Sequence, residues 1–528
     1  MSRMPGLSGI VMGAAMLLAP LGITGAANAQ TLRAAPHANL EFLDPIWTTA
    51  YITRSHGYLV YDTLFGMDEN FDPQPQMVSE WSVSEDGLLW SFTLRPDLRW
   101  HDGTDVTAAD SVASLQRWAA RDGVGQALFE LVEEITAEDA TTFTIQLSHP
   151  FPRMLHALGK MSSNVPFIMP ARIAATPASQ PITDPTGSGP FIFALDEWDP
   201  ARRAVYIRND DYVPRDEPTS LTAGAKIPFM ERIEWVFFDT HEEALEATLA
   251  GDIHFFESPS TTVTDRFTDQ EVAILEVTDP SGNVGMAVFN HLIAPFDNPD
   301  IRRAVLMAMS QEDYMRAALG NEDYWQTCRS IYPCGTPYST ETDMTGFMGG
   351  DVETARQMLA DAGYDGTAVV IRDPVDSPVI SAFTGVTLEL FEELGINVDH
   401  QPMLWAELVE GRAVRTSEEG EVWNMFHTWW IADDLSDPLR IAFSGDPETG
   451  WIGWPNAPEL AELRRAFLLA ETDEVAAEIA QQVQAVIVEG AHFGILGQFF
   501  EPIAFNVAIM GLQRPIQMYY NLAIPSAK

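Results

Sequence analysis

Side chains able to act together as acid, base, nucleophile or ligand occur at four places in this chain. His101 and Asp102 lie in Trp100-His101-Asp102-Gly103, which reads as a turn, so an acid and base pair is set there against the ordinary structural role of turn residues. His241 and Glu242 open a helical stretch, but a zinc-protease helix needs a second histidine at the fifth position, and Leu245 stands there. Cys328 and Cys334 enclose five residues in CRSIYPC, with no cysteine or histidine cluster beside them to hold zinc. The fourth place is WNMFHTWWIADDLSDP from Trp423, where His427, Trp429, Trp430, Asp433 and Asp434 crowd together. These types suit capture more than conversion: a small zwitterion needs a carboxylate for its amine, a guanidinium for its carboxylate and apolar walls for the rest. A secreted hydrolase finds little support, since neither a Gly-x-Ser-x-Gly elbow nor a Cys and His pairing is present. A carboxylate pair for glycoside hydrolysis stays open, because its signature is a separation in space.

The elements that must position these residues are marked locally. Alternation predicts a strand over Leu88 to Leu94, and Thr107 with Asp110 caps a helix through Val112, Leu115, Gln116 and Trp118. Thr186 to Phe191 (TGSGPF) reads as a glycine turn; with no Lys-Ser/Thr following, it is not a phosphate loop. Ile233 to Phe238 reads as a strand, and HEEALEATLAGDIHFFE from His241 as helix, glycine cap and strand. Gly285 to Phe289 is a mostly apolar strand, after which Asn298, Pro299 and Asp300 start a helix and Ser310 with Asp313 gives a second start. Beyond Gly285 the pattern turns helical, over 301–319, 352–362, 381–394, 460–469 and 475–489, with strands at 368–371 and 422–428, as expected of an α/β unit. His427 is then a strand residue, either satisfied in the interior, a ligand contact or a metal ligand. Trp429 and Trp430, adjacent in extended backbone, point to opposite sides, so only one is expected to face a cleft.

The N-terminus reads as a secretory leader cut after Ala29: Arg3, an apolar run from Ile10 to Leu21, and Ala27-Asn28-Ala29. Pro20, Gly22 and Gly25 interrupt a run shorter than the roughly 20 residues a membrane span needs. With no cysteine after it for a lipid anchor, a soluble periplasmic protein is expected. Net charge is -46, and -47 once Arg3 leaves with the leader, which argues against nucleic acid or anionic lipid as a partner and reads as a solvated acidic surface. In an oxidising compartment Cys328 and Cys334 read as a local disulfide shaping the Arg329 to Pro333 turn, the alternative being two unrelated thiols. Hydrophobic content of 46% and 10% aromatic residues are ample for a packed core.

Two long blocks carry a resemblance. PQMVSEWSVSEDGLLWSFTLRPDLRWHDGTDVTAADSVASLQRW from Pro75 and FNHLIAPFDNPDIRRAVLMAMSQEDY from Phe289, with TGSGPF and the His241 unit between them, resemble the extracytoplasmic solute-binding proteins of peptide-type ABC importers. The resemblance implies a two-lobed α/β fold of the type II periplasmic binding protein class with a subdomain inserted in the first lobe. It divides the chain into a leader (1–29), lobe I in three parts (30–70, 186–283, 498–528), the insertion (71–185) and lobe II (284–497). The hinge would be the crossings near Gly282 to Gly285 and Leu496 to Pro502, and the solute would lie between the lobes. By the same resemblance Arg372 takes the solute's carboxylate and Asp433 its amine, although one extra residue before Asp437-Pro438 leaves Asp434 as the alternative. Trp405 matches a recurrent aromatic position, and Trp47, Thr48 and Thr49 lie in a loop that borders the ligand. Asn283 to Asn290, with Met286, would offer backbone to an extended ligand. The function implied is capture of a short peptide, or of an oligosaccharide, opine, nickel chelate or other small nutrient. Delivery would be to an inner-membrane permease with its ATPase subunits, by a monomer with no cofactor or metal.

Overall fold

The computed structural model describes residues 31–267, 272–277, 279, 281–342, 344, 346–470, 472–512 and 518–524, so the leader lies outside the described residues. Two large mixed sheets and one smaller antiparallel sheet organise the chain. The first, seven-stranded, takes its strands in the order Phe191–Phe193, Arg203–Arg208, Arg232–Val236, Thr31–Ala35, Phe255–Phe256, Pro502–Asn506 and Ala273–Val277. Its centre is parallel, Thr31–Ala35 running alongside both Arg232–Val236 and Phe255–Phe256. The second, six-stranded, is ordered Trp325–Gln326, Phe493–Phe499, Asn283–Phe289, Met425–Ile431, Val369–Pro374 and Val398–Met403. The third, four-stranded, holds Val78–Val83, Leu89–Leu94, Thr142–Leu147 and Val132–Ala137.

Local signals placed these elements well. Trp90, Phe92 and Leu94 alternate into the core from the Leu89–Leu94 strand. Asp110 Oδ2 accepts from Thr107 N at 2.7 Å and starts the helix Ala108–Ala119. Asn298 Oδ1 accepts from Asp300 N at 2.9 Å, and the 301–319 stretch is two helices, Pro299–Ala308 and Gln311–Leu319, separated where Met309 turns extended. The strand expected at 422–428 runs instead over Met425–Ile431, which carries Trp429 and Trp430 in extended backbone to the sheet's edge of the cleft. Cys328 and Cys334 form the disulfide, with their Cα atoms 5.7 Å apart.

The chain passes from the first large sheet to the second between Val277 and Asn283 and returns between Phe499 and Pro502. Gly282 sits at the first passage with φ +67°, and a Cβ there would lie 2.4 Å from the Phe499 carbonyl oxygen at the second. The two passages are therefore held against each other at a position only glycine fits. Among the described residues no helix is long and apolar enough to cross a membrane.

Candidate functional site

Residues from both large sheets enclose a cavity of about 240 Å³. The first sheet's side contributes Ala35 to Asn39, Thr49 to Ile52 at the entry of the helix Tyr51–Val60, and Val236 to His241. The second sheet's side contributes the Asp376-Ser377 turn, Trp405, Arg412, Thr428 to Trp430 and Trp451.

The helix Trp405–Gly411 is anchored at its start: Trp405 N donates to Asp376 Oδ1 at 2.7 Å and Leu404 N to Glu407 Oε2 at 2.9 Å. Seven residues are nearly two full turns, so Arg412, just past the helix end, lies on the same side as Trp405. Its guanidinium carbon is 5.8 Å from the Trp405 ring centroid and 6.0 Å from that of Trp451. Arg412 is 6% exposed, and its Nη2 stands 3.5 Å from Thr49 Oγ1 on the opposite wall. Burial, helped by the like charge of Arg121, brings its pKa down to about 10, so it remains a cation at neutral pH. Trp429 stacks on Tyr51 with centroids 5.1 Å apart, while Trp430 meets Trp451 edge-on at 4.8 Å.

A smaller cavity of about 50 Å³ shares His37, His241, Ser377 and Trp429 with the first and adds Glu501. His37 places both its backbone N and its Nδ1 on Glu257 Oε2, at 3.1 and 3.0 Å. Burial opposes the charge on Glu257, but His37 outweighs it and holds that carboxyl below its usual range. Glu501 goes the other way: burial, with repulsion from Glu257, pushes it up to about 7, against the pull of His37 and the Asn283 amide.

Beyond the aromatic wall, Tyr51 ties the two sides together. Its hydroxyl donates to Asp434 Oδ2 at 2.8 Å and accepts from Ile431 N at 2.7 Å. Ser162 donates to the same carboxylate oxygen at 2.9 Å and itself accepts from Arg54 Nη1 at 2.6 Å. Burial still raises the Asp434 carboxyl above its ordinary value.

The residues singled out from sequence separate into two groups. Trp405, Trp429, Trp430 and Thr49 line the cavity. Both tryptophans of the pair do so, contrary to the expectation of one, because the cavity wraps the end of the strand and borders both its faces. The rest lie elsewhere. Arg372 is 4% exposed, donates to the Glu421 carbonyl at 2.8 Å and sits behind Gly411, so the helix Trp405–Gly411 separates it from the cavity. Asp433 pairs with Arg440 at 3.3 Å, and Asp434 is occupied by Tyr51 and Ser162. Trp47 packs on Phe42 and donates its indole N–H to the Ser179 carbonyl, while the buried Thr48 hydroxyl accepts from Ala50 N. Met286 is wholly buried. Asn283 gives its side chain to Glu501, and its strand is paired on both edges, which leaves no backbone free for an added strand. His427 is sealed between the hydroxyls of Thr384 and Thr387 at 3.1 and 2.8 Å, and burial lowers it to about 3, a neutral interior histidine. Among the described residues no group of His, Cys, Asp and Glu is arranged to hold a metal.

Arg412, Tyr51, His37 and Trp451 were not foreseen. Arg412 had one usable signal, its spacing of seven from Trp405 within a helical stretch.

Comparison with known proteins places this architecture. Residues 72–448 match the family described as bacterial extracellular solute-binding proteins, family 5. A probable peptide ABC transporter periplasmic-binding protein of Sinorhizobium fredii is 34% identical over 518 residues, 96% of each chain. Among solved structures, the Escherichia coli murein tripeptide-binding protein superposes with TM-score 0.77 at 18% identity, covering 94% of this chain and 99% of that one. A periplasmic binding protein of A. tumefaciens R10 in complex with agropinic acid superposes with TM-score 0.75 at 19% identity over the same shares. Those two likenesses establish the two-lobed periplasmic binding protein fold. The family match over most of the chain and the full-length relative establish more: this chain belongs to the bacterial extracellular solute-binding proteins of family 5.

Proposed function

We propose that this chain is the substrate-binding component of an ABC importer. It is exported to the periplasm with its leader cut after Ala29 and works as a monomer that hands its solute to an inner-membrane permease and its ATPase subunits. Lobe I (30–70, 186–283 and 498–528, with 71–185 inserted) and lobe II (284–497) close about the two chain passages. The observation that carries this reading is the cavity of about 240 Å³ lined from both large sheets, where one small solute would touch both lobes. The volume lies below the roughly 300–1,000 Å³ of pockets for drug-sized ligands, so the cargo is about the size of a dipeptide. A short peptide is the first reading, supported by the 34% identical relative named for peptide transport. A non-peptide organic acid is the second, favoured by the fold's likeness to the agropinic acid complex.

Native mass spectrometry tests this on protein drawn from a periplasm without denaturation, beside a sample stripped in guanidinium and refolded. Adducts at dipeptide masses, absent after stripping, are expected. One discrete non-peptide mass would replace the peptide reading and keep the receptor; an adduct-free protein that binds nothing would overturn both.

A further inference from the structure

Resting on the receptor reading above, we infer that Arg412, between Trp405 and Trp451, is the anchor for a carboxylate of the cargo. A guanidinium removed from water needs either a negative partner or acceptors for its five N–H donors. Arg302 and Arg440 have them. Arg302 donates to the carbonyls of Phe296, Gly490 and Ala491, and Arg440 reaches both Asp433 and Asp437. Arg412, although only 6% exposed, is paired with no carboxylate among the described residues. Its one side-chain hydrogen bond is the long contact with Thr49. Arg372 also lacks a carboxylate, but it is walled off behind Gly411, whereas Arg412 forms part of the cavity wall.

Two carboxylates, Asp239 and Asp376, also line the cavity; neither is paired with Arg412, and Asp376 Oδ1 accepts from Trp405 N. Trp430 and Trp451 line the same cavity, and the indole N–H of each is buried without an acceptor. The planar fork of arginine matches a carboxylate with two parallel bonds. The flat faces of Trp405 and Trp451 would cover the guanidinium while it is engaged, keeping water from competing. Because Thr49 comes from the opposite wall, a carboxylate on Arg412 would sit where the lobes meet, and its capture would favour the closed form.

The test uses the full mature chain, stripped and refolded. It is presented with yeast extract and with the same extract after methyl esterification, which neutralises carboxylates and leaves sulfonates charged. Native mass spectrometry reads the adducts. With untreated extract the wild type is expected to carry adducts that fall at least tenfold with the esterified extract and at least tenfold in Arg412→Gln. Arg412→Lys, which keeps the charge without the fork, is expected to fall between. Circular dichroism and the thermal midpoint of each variant verify folding. Adducts that survive esterification, or that persist in a folded Arg412→Gln at wild-type intensity, would overturn the carboxylate anchor and leave the receptor standing. No adduct from either extract would overturn the receptor reading, and this inference with it.

Discussion

Arg117 and Arg412 are both buried guanidinium groups, 4% and 6% exposed, and the molecule treats them oppositely. Arg117 meets Asp44 with two parallel bonds of 3.1 and 2.7 Å and gives its remaining donors to the carbonyls of Thr176 and Gln180. Asp44 in turn accepts from the backbone N–H groups of Ile46, Trp47 and Ile182. That node pins the loop after the first strand, the helix Ala108–Ala119 and the 176–182 segment into one body. Arg412 has rings on two sides, one distant hydroxyl and a cavity in front. A charge the fold satisfies is framework; a charge it leaves open is held for what enters.

The contrast breaks most visibly in stability. Asp44→Ala leaves Arg117 buried and unpaired and frees three backbone donors, a loss of about 3–5 kcal/mol. Arg412→Met removes an uncompensated charge, so the ligand-free protein should be no less stable and gain up to about 1 kcal/mol. Urea unfolding of both variants without ligand checks this. Equal destabilisation would mean that Arg412 is framework too and that the distinction fails.

Asp434 gives a middle case: a buried carboxylate with one oxygen held by Tyr51 and Ser162 from across the cleft and the other without a hydrogen-bond partner. Tyr51→Phe removes one of the two donors and also leaves the Ile431 N–H without its acceptor, costing the closed form about 1–3 kcal/mol. Because the contact joins the two sides, the cost should appear in closure more than in folding. Small-angle scattering of the stripped protein should give a larger radius of gyration for Tyr51→Phe, with an unchanged thermal midpoint. A lowered midpoint at unchanged radius would make the contact a fold element.

What could be read from sequence follows the range of each interaction. Caps, turns and alternation are local, so Thr107, Asn298 and the Leu89–Leu94 strand stood out. Sheet order is not local: that Asn283–Phe289 lies inside its sheet, paired on both edges, depends on strands more than 100 residues away, and the idea of a ligand strand beside it failed for that reason. Within the cleft Trp405 was suggested by its match to a recurrent aromatic position, and Trp429 and Trp430 by their adjacency in extended backbone; all three line the cavity. Arg412, in GRAVRTSEEGE, looks like a solvated loop residue. Its burial arises only when helix rotation sets it under Trp405 and Thr49 arrives from the far wall. Asp433 and Asp434 differ by one position, and the short turn Ala432–Leu435 decides which of them meets Tyr51.

Glu501 provides the finest test, because it is neither satisfied like Asp44 nor open like Arg412. Its carboxylate accepts from the Asn283 amide at 3.0 Å, is attracted by His37 and is repelled by Glu257. Its ordinary pKa is 4.5 and the folded protein raises it to about 7, so between those values the folded state binds more protons than the unfolded chain. Stability therefore falls as pH climbs through that window and stays lower above it. Glu501→Gln keeps an acceptor for Asn283 and deletes the proton. The variant should match the wild type near pH 4 and exceed it by about 1 kcal/mol at pH 8, a modest figure because the side chain is only partly shielded from water. Thermal midpoints of the two ligand-free proteins across that range provide the measurement, and carboxylates common to both cancel in the difference. A difference that does not change with pH would mean that the Glu501 charge is already satisfied and belongs with Asp44. A difference that appears over this window and vanishes when a cationic solute binds would place Glu501 beside Arg412, as the second charge the fold leaves for its cargo.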